Sequence, residues 1–250
     1  MRTESRWTAG LLIAAFWIAP VRAGPPFFTD DPEPVDYQHN EFYVFSTLDR
    51  SYGADSTEGP AIEYNRGVVA NTQLHVVLPF SGSVPAGGGG GAFGLGDVEL
   101  GVKYRFLQER GRWPQIGIFP MVEVATGSAA RGLGNGRSWY RLPLWIQKSW
   151  GPWTSYGGAG IDINHAPGMR DAAFGGWLLQ RDFGPRWTLG GELFRQNAMA
   201  IGARDYTLVN LGGNYNFTPG FSLLFSGGRS VVGERHTDAY LGLYWTWGPG

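Results

Sequence analysis

Asp97 to Phe106 reads DVELGVKYRF, and its side chains alternate without a break between apolar residues and charged or small ones. The apolar positions are Val98, Leu100, Val102, Tyr104 and Phe106. Because successive side chains of a strand point to opposite faces, the stretch is predicted to be a β-strand with one apolar and one charged face. The pattern recurs along the chain, and no amphipathic helix follows that could cover the apolar face. That face is therefore predicted to contact lipid.

The composition narrows the class of protein. The 250 residues include 40 glycines and 11 tryptophans but no cysteine, and the formal net charge is −1. The lack of cysteine excludes a disulfide framework and a thiolate metal site. The near-zero charge argues against a nucleic-acid partner, which requires a basic surface. Length is sufficient for one large domain.

The first residues have the pattern of a secretory signal. Arg2 and Arg6 precede an apolar run at residues 11–18, and Val-Arg-Ala at 21–23 reads as a cleavage site. A single transmembrane anchor is the alternative, but the run is shorter than the roughly 20 apolar residues that a spanning helix needs. The predicted organisation is a signal peptide at 1–23, cleaved after Ala23, a periplasmic or lumenal lead-in at 24–40, and a membrane domain at 41–250.

From residue 41 onward, alternation predicts about twelve strands. Their predicted spans are Glu41–Asp49, Pro60–Gly67, Gln73–Phe80, Gly96–Gln108, Gln115–Ala125, Trp139–Ser149, Thr154–Asn164, Ala172–Asp182, Trp187–Gln196, Tyr206–Phe217, Phe221–Ser230 and Ala239–Trp247. Short connections such as Gly151-Pro152 and Pro219-Gly220 alternate with longer ones such as Gly127–Ser138. This alternation and an even strand number are typical of bacterial outer-membrane barrels. The predicted fold is all-β: a transmembrane, antiparallel, up-and-down β-barrel with both termini on the periplasmic side.

Aromatic residues cluster beside the short turns and predict a girdle at the periplasmic interface of the membrane. They are Trp113, Trp150, Trp153, Phe183, Trp187, Phe217, Phe221, Trp245 and Trp247. The last strand, YLGLYWTW at residues 240–247, is similar to the C-terminal assembly signal of outer-membrane barrels. Outer-membrane lipid and the barrel-assembly machinery are therefore predicted partners, and the predicted location is the outer membrane of a Gram-negative bacterium.

The charged face of the strands is predicted to point into the lumen. The candidate selectivity residues are Glu63, His75, Asp97, Glu99, Lys103, Arg105, Glu123, Arg141, Asp162 and Glu192. Pairing the strands through their turns places Asp97 or Glu99 across from Glu123, and Glu123 near Arg141. Opposed charges on a pore wall select solutes. Alternatively, the same charges form a lattice of salt bridges that fills a narrow barrel.

No catalytic residue, cofactor or metal site is predicted, and the chain is not expected to be an enzyme. Nucleophilic catalysis needs a base beside its nucleophile, and the four histidines are scattered. A barrel enzyme acting on lipid would require a serine or aspartate within hydrogen-bond reach of His75. The acidic stretch DDPEP at residues 30–34 could attract calcium, but its two prolines favour a solvated, extended linker.

Several longer segments resemble a bacterial outer-membrane family labelled as components of the meta pathway of phenol degradation and often described simply as transporters. They are GLGDVELGVKYRFLQE at 94–109, GIFPMVEVATG at 117–127, GLGNGR at 132–137, LPLWIQKSWGPWTSYGGAG at 142–160, FGGWLLQRDF and TLGGELF within 174–194, and FFTDDPEPV at 27–35. The resemblance implies a barrel that passes small compounds, aromatic ones among them. The family offers no established catalytic or binding residues to transfer.

The sequence thus predicts an outer-membrane channel for the passive passage of small solutes, with aromatic compounds among the candidates. Two alternatives stay open. The first is a barrel enzyme that acts on lipid, and the second is a structural barrel with a blocked lumen.

Overall fold

The computed structural model describes residues 25–51, 54–85 and 91–249, so the predicted signal peptide lies outside the described residues. The described chain forms fourteen strand segments. They are β1 (Asn40–Ser51), β2 (Ala54–Val69), β3 (Thr72–Pro85), β4 (Ala92–Leu95), β5 (Val98–Leu107), β6 (Gln115–Ile118), β7 (Met121–Val124), β8 (Trp139–Trp150), β9 (Trp153–Ile163), β10 (Ala172–Phe183), β11 (Trp187–Gln196), β12 (Tyr206–Thr218), β13 (Phe221–Gly233) and β14 (His236–Trp247).

The fourteen segments make twelve barrel strands, because β4 and β5 are successive parts of one strand and β6 and β7 of another. β3 pairs with both β4 and β5, and β8 pairs with both β6 and β7. Strand order follows the sequence, and the pairs are antiparallel. β1 pairs with β14 from Asn40 opposite Trp247 to Ser51 opposite His236, which closes the sheet. The prediction of a twelve-stranded, up-and-down, antiparallel barrel is confirmed.

A proline explains why one barrel strand is divided. Pro120 follows β6 and has no backbone N–H to continue the ladder. Its carbonyl still accepts a hydrogen bond from the Val102 amide on β5 at 3.1 Å, so the two strands stay joined. Beside this break, the outer surface has a recess of about 660 Å³ that is lined mainly by apolar side chains.

The apolar and charged side chains of DVELGVKYRF lie on opposite faces of the barrel wall. Leu100, Tyr104 and Phe106 are exposed on the outside, whereas Lys103 is only 5% exposed. Aromatic side chains also lie exposed beside the short turns, as the girdle prediction requires. They include Trp113, Trp150, Phe183, Trp187, Phe217 and Trp247. The barrel therefore presents an apolar, aromatic-rimmed surface outward and a polar surface inward.

Helical structure is confined to the loops. A short 3-10 helix, Ala129–Arg131, lies in the connection between β7 and β8. In the described ranges, no helix combines the length and the apolar character needed to cross a membrane.

A charge on the lipid face tests this orientation. Leu78 and Val84 lie on the outer face of β3, Leu78 near its middle and Val84 near its outer end. Leu78→Lys is expected to lower the free energy of unfolding by about 2–4 kcal/mol, and Val84→Lys by about 0–1 kcal/mol, because the cost depends on depth in the bilayer. Denaturant unfolding in lipid vesicles measures both. Equal losses would show that Leu78 does not face hydrocarbon.

Candidate functional site: the lumen and its N-terminal segment

Residues 25–39 precede β1, and we call them the lumenal segment; residues 25–35 lie inside the barrel, whereas residues 36–38 are exposed where the segment meets Gly67. They contact inward-facing side chains on opposite walls. The Val35 amide donates to the Gln73 side chain on β3 at 2.8 Å. The hydroxyl of Ser226 on β13 donates to the Pro26 carbonyl at 2.6 Å. The part of the lead-in between Pro26 and Val35 therefore contacts the inner wall of the barrel.

Two cations on β5 hold the acidic part of the lumenal segment. Lys103 Nζ lies 3.0 Å from Asp30 Oδ1 and 3.6 Å from Asp31 Oδ2. Arg105 lies 3.6 Å from Glu33. Asp31 has no exposed surface; burial raises the pKa of its carboxyl, and the Lys103 ammonium opposes that shift. The interpretation of residues 30–34 as a solvated linker is therefore wrong, because inward-facing cations pair with these carboxylates inside the barrel.

Glu192 on β11 holds the next part of the segment. Its carboxylate accepts hydrogen bonds from the backbone amides of Thr29 and Phe28, the latter at 3.3 Å. The side-chain amide of Asn210 donates to the same carboxylate at 3.3 Å. The Phe28 ring stacks on Phe194 with centroids 5.2 Å apart. Glu192 thus anchors the backbone of the lumenal segment.

His75 on β3 bridges two carboxylates. Its Nε2 lies 2.8 Å from Glu99 Oε1, and its Nδ1 lies 2.7 Å from Asn65 Oδ1 and 3.5 Å from Glu63 Oε1. The ring meets Phe119 edge to face, with centroids 5.1 Å apart. Within the described part of the chain, neither ring nitrogen has a serine or an aspartate as its partner. The contacts of His75 therefore differ from the pairing with serine or aspartate that a lipid-directed enzyme would require.

Strand register places three carboxylates in a line across the wall. Glu63 pairs with Val77, Val77 with Glu99, and Glu99 with Glu123, across β2, β3, β5 and β7. Directly paired positions share one face of a sheet, so these side chains point the same way, into the lumen. Of the two partners predicted for Glu123, Asp97 and Glu99, the register selects Glu99.

Arg141 on β8 pairs with Asp162 on β9. Its Nε lies 2.8 Å from Asp162 Oδ1 and its Nη2 lies 3.1 Å from Oδ2, a two-pronged contact with a fully buried carboxylate. Met121, two residues from Glu123, is the residue opposite Arg141. Among the described residues Glu123 has no salt bridge of its own. The Arg141 charge is thus largely matched by Asp162.

Asp97 has a structural task at the outer end of the lumen. Its carboxylate accepts hydrogen bonds from the backbone amides of Gly127 at 2.8 Å and Asn135 at 2.6 Å. Both amides belong to the long loop between β7 and β8. Asp97 therefore fixes that loop over one side of the barrel mouth.

On the outer side of the lumenal segment lies a cavity of about 440 Å³. Part of the lumenal segment, including Phe28 and Asp30, lines it from the periplasmic side. Three further carboxylates that the sequence analysis did not single out also border it: Asp49, Glu58 and Asp238. Two of them were missed because the predicted strands were too short at their outer ends. β2 begins at Ala54 rather than Pro60, and β14 at His236 rather than Ala239.

The ten predicted lumen residues form three groups, according to whether they border the cavity, contact the lumenal segment or contact only another wall residue. Six of them border the cavity: Glu63, His75, Asp97, Glu99, Glu123 and Arg141. Lys103, Arg105 and Glu192 contact the lumenal segment. Asp162 is buried beside Arg141. The lumenal segment thus contacts both the carboxylate-rich cavity and the cations Lys103 and Arg105.

The closed, twelve-stranded barrel with a polar interior is the fold of outer-membrane β-barrels. An outer-membrane channel from Pseudomonas putida F1 has a TM-score of 0.71 over 87% of this chain and 98% of its own, at 15% sequence identity. KdgM porin has a TM-score of 0.54 over 82% and 99%, at 9% identity. The translocator domain of the autotransporter NalP from Neisseria meningitidis has a TM-score of 0.53 over 82% and 88%, at 11% identity.

At these identities the likeness shows the fold. No protein-family model matches the chain, and no curated protein matches it in sequence. The resemblance to the family labelled for phenol degradation therefore stays a prediction.

The position of Thr29 in the lumenal segment depends on Gly176, which leaves room for the Thr29 side chain. A Cβ at Gly176 on β10 would overlap Thr29 Oγ1, whereas a Cβ at Gly191 on β11 would meet only the far end of the Leu211 side chain at 3.1 Å. Gly176→Ala is expected to displace Thr29 and to raise deuterium exchange at its amide roughly tenfold, because the bond to the Glu192 carboxylate is lost. Gly191→Ala is the matched control. Equal protection of residues 25–39 in both variants would contradict this seat.

Proposed function

We propose that the chain is exported, inserts into the outer membrane of a Gram-negative bacterium and acts as a passive channel for small solutes. The observation that carries this proposal is the charged cavity of about 440 Å³ that lies within the barrel and ends at the lumenal segment. A barrel that served only as an anchor would have no need of a hydrated, charged interior. The likeness in fold to an outer-membrane channel and a porin supports the same reading.

Passage through the barrel requires the lumenal segment to move or to leave a gap. Ion pairs and side-chain hydrogen bonds hold it, together with a few backbone hydrogen bonds near Gly67. Water and salt compete with such contacts more easily than with a paired strand. We therefore assign the segment as the element that sets the conductance of the channel.

Small aromatic compounds are the solutes that the cavity surface fits. Rings of Phe45, Phe119, Trp145 and Tyr240 line it beside the carboxylates. Aromatic rings pack on one another in offset or edge-to-face contacts, and a phenolic hydroxyl donates readily to a carboxylate. This proposal matches the family resemblance in the sequence but is independent of it.

A structural barrel with a blocked lumen is the second candidate. The fully buried Thr29 and Asp31 favour it, because a segment seated so completely closes much of the cross-section. The C-terminal strand fits either function: we propose that β14, which closes the barrel against β1, carries the signal for the assembly machinery.

Deleting residues 25–34 separates the two candidates. In planar bilayers the mature chain is expected to give a small conductance and the deletion variant one several-fold larger, because the buried acidic stretch no longer occupies the lumen. Heat-modifiable gel mobility checks that both chains fold. A silent full chain beside a conducting deletion variant would show a blocked lumen, and silence of both folded chains would also reject the channel proposal.

Charge removal in the cavity tests its selectivity. Glu58 and Glu123 border the cavity, and neither forms a salt bridge among the described residues. Replacing both by glutamine is expected to lower the cation-to-anion permeability ratio toward one, because carboxylates at a pore wall concentrate cations. Reversal potentials in a salt gradient measure the ratio. Asp205→Asn, on an outer loop where Asp205 pairs with Arg195, is the control expected to leave it unchanged.

A further inference from the structure

We infer that the outer cavity is a binding site for small organic cations that combine a protonated amine with an aromatic or other apolar body. The inference rests on the proposed channel function and names the class of solute for it. It is carried by the charge of the cavity, by unpartnered buried polar atoms in one wall, and by the aromatic rings beside them.

Carboxylates predominate among the titratable groups that line the cavity. Its lining contains eight carboxylates: Asp30, Asp49, Glu58, Glu63, Asp97, Glu99, Glu123 and Asp238. Only His75 and Arg141 oppose them, and Arg141 is already paired with Asp162. A concave site with an excess of one charge concentrates ligands of the opposite sign.

Most of these carboxylates have partners within the protein. His75 bridges Glu63 and Glu99, and Lys103 pairs with Asp30. His236 lies 3.1 Å from Asp49 on the outer wall. Asp97 holds the amides of the outer loop. Among the described residues, the lining carboxylates left without a salt bridge or a backbone amide are Glu58, Glu123 and Asp238.

Asp238 and Asn210 present buried acceptor atoms in the wall of the cavity. Asp238 is only 8% exposed and Asn210 only 1%, yet Oδ2 of Asp238 and Oδ1 of Asn210 have no hydrogen-bond partner in the described structure. The hydroxyl of Tyr240 is likewise without one. All three side chains line the cavity. Buried polar atoms are nearly always satisfied in folded proteins, so acceptors left open toward a cavity point to a bound donor.

Register shows how these acceptors are arranged. Asn210 pairs with Gly228, and Gly228 pairs with Asp238, so a residue without a side chain separates the two. Two inter-strand spacings place their Cα atoms roughly 10 Å apart, a gap that two short polar side chains can bracket. An alkylammonium group carries three N–H donors. It is the group that such a gap with a carboxylate and an amide oxygen would take.

The body of the ligand has a matching surface. Tyr240 and Phe45 stack with ring centroids 5.2 Å apart and an interplanar angle of 18°, on the same wall as Asp238. Trp145, 1% exposed, lines the cavity and has an unpartnered indole N–H. Aromatic faces attract both cations and other rings. The volume of about 440 Å³ falls within the range of small-molecule pockets.

Three probes of one shape test the inference: 2-phenylethylammonium, 2-phenylethanol and phenylacetate. Titration calorimetry of the refolded mature chain in detergent micelles is expected to give an ammonium affinity at least about tenfold above that of the alcohol, because a charge-assisted bond replaces a neutral one. Phenylacetate is expected to bind more weakly than the alcohol. Equal affinities for the ammonium and the alcohol, or tighter binding of phenylacetate, would overturn the inference.

Two variants locate the site. Asp238→Asn is expected to weaken ammonium binding about tenfold or more and to leave alcohol binding nearly unchanged. Tyr240→Phe keeps the ring, removes only the hydroxyl and is expected to weaken ammonium binding less. Asp205→Asn is the exposed control. If both variants fold, by gel mobility, and bind the ammonium as tightly as the parent, the cation does not bind at this wall.

The calorimetric readout does not require conduction, so the two proposals can fail separately. Ammonium binding by a barrel that stays silent after deletion of the segment would support this site and reject the channel. Conduction without a preference for the ammonium would support the channel and reject this site.

Discussion

In the hydrocarbon region of a bilayer, no water is available to the backbone, so each amide and carbonyl of a spanning strand needs a partner within the protein. The pairing of β1 with β14 meets that requirement for the two strands that would otherwise be edges. Closure fixes the strand register, and register fixes which side chains share a row inside the barrel. The line of Glu63, Glu99 and Glu123 is a direct result.

Closure also creates an interior that the wall side chains do not fill by themselves, because the width of a barrel grows with its strand number. The lumenal segment occupies part of that space and matches its charges to those of the wall. Lys103 would be a buried cation without Asp30 and Asp31, and Asp31 would be a buried anion without Lys103. The cavity on the outer side is the space that remains.

Much of this architecture could be predicted from the sequence. Along a strand with one face toward the polar lumen and the other toward lipid, polar and apolar residues alternate with a period of two. Alternation identified the twelve strands and the inward residues, and turn length predicts their orientation in the membrane. The outer ends of the strands were less visible, since loops there continue the ladder with polar residues such as Asp55 and Thr57. Glu58 and Asp238 were missed for that reason.

The position of the lumenal segment was not readable from its own composition. Prolines and acids at 30–34 are equally typical of a solvated linker, and burial was decided by partners far along the chain. The available signal was Lys103 and Arg105 on the inward face of β5, two cations at the same end of the barrel as an acidic stretch. The local composition of residues 30–34 does not show that their partners lie about 70 residues later in the chain.

The distance along the chain between the segment and its seat also orders events during biogenesis. Pro26 bonds to Ser226, 200 residues later, and Thr29 bonds to Glu192, 163 residues later. Such contacts form late, because the intervening chain must first be positioned. Residues 26–29 are thus among the last to reach their final place, and their burial marks the completion of the barrel.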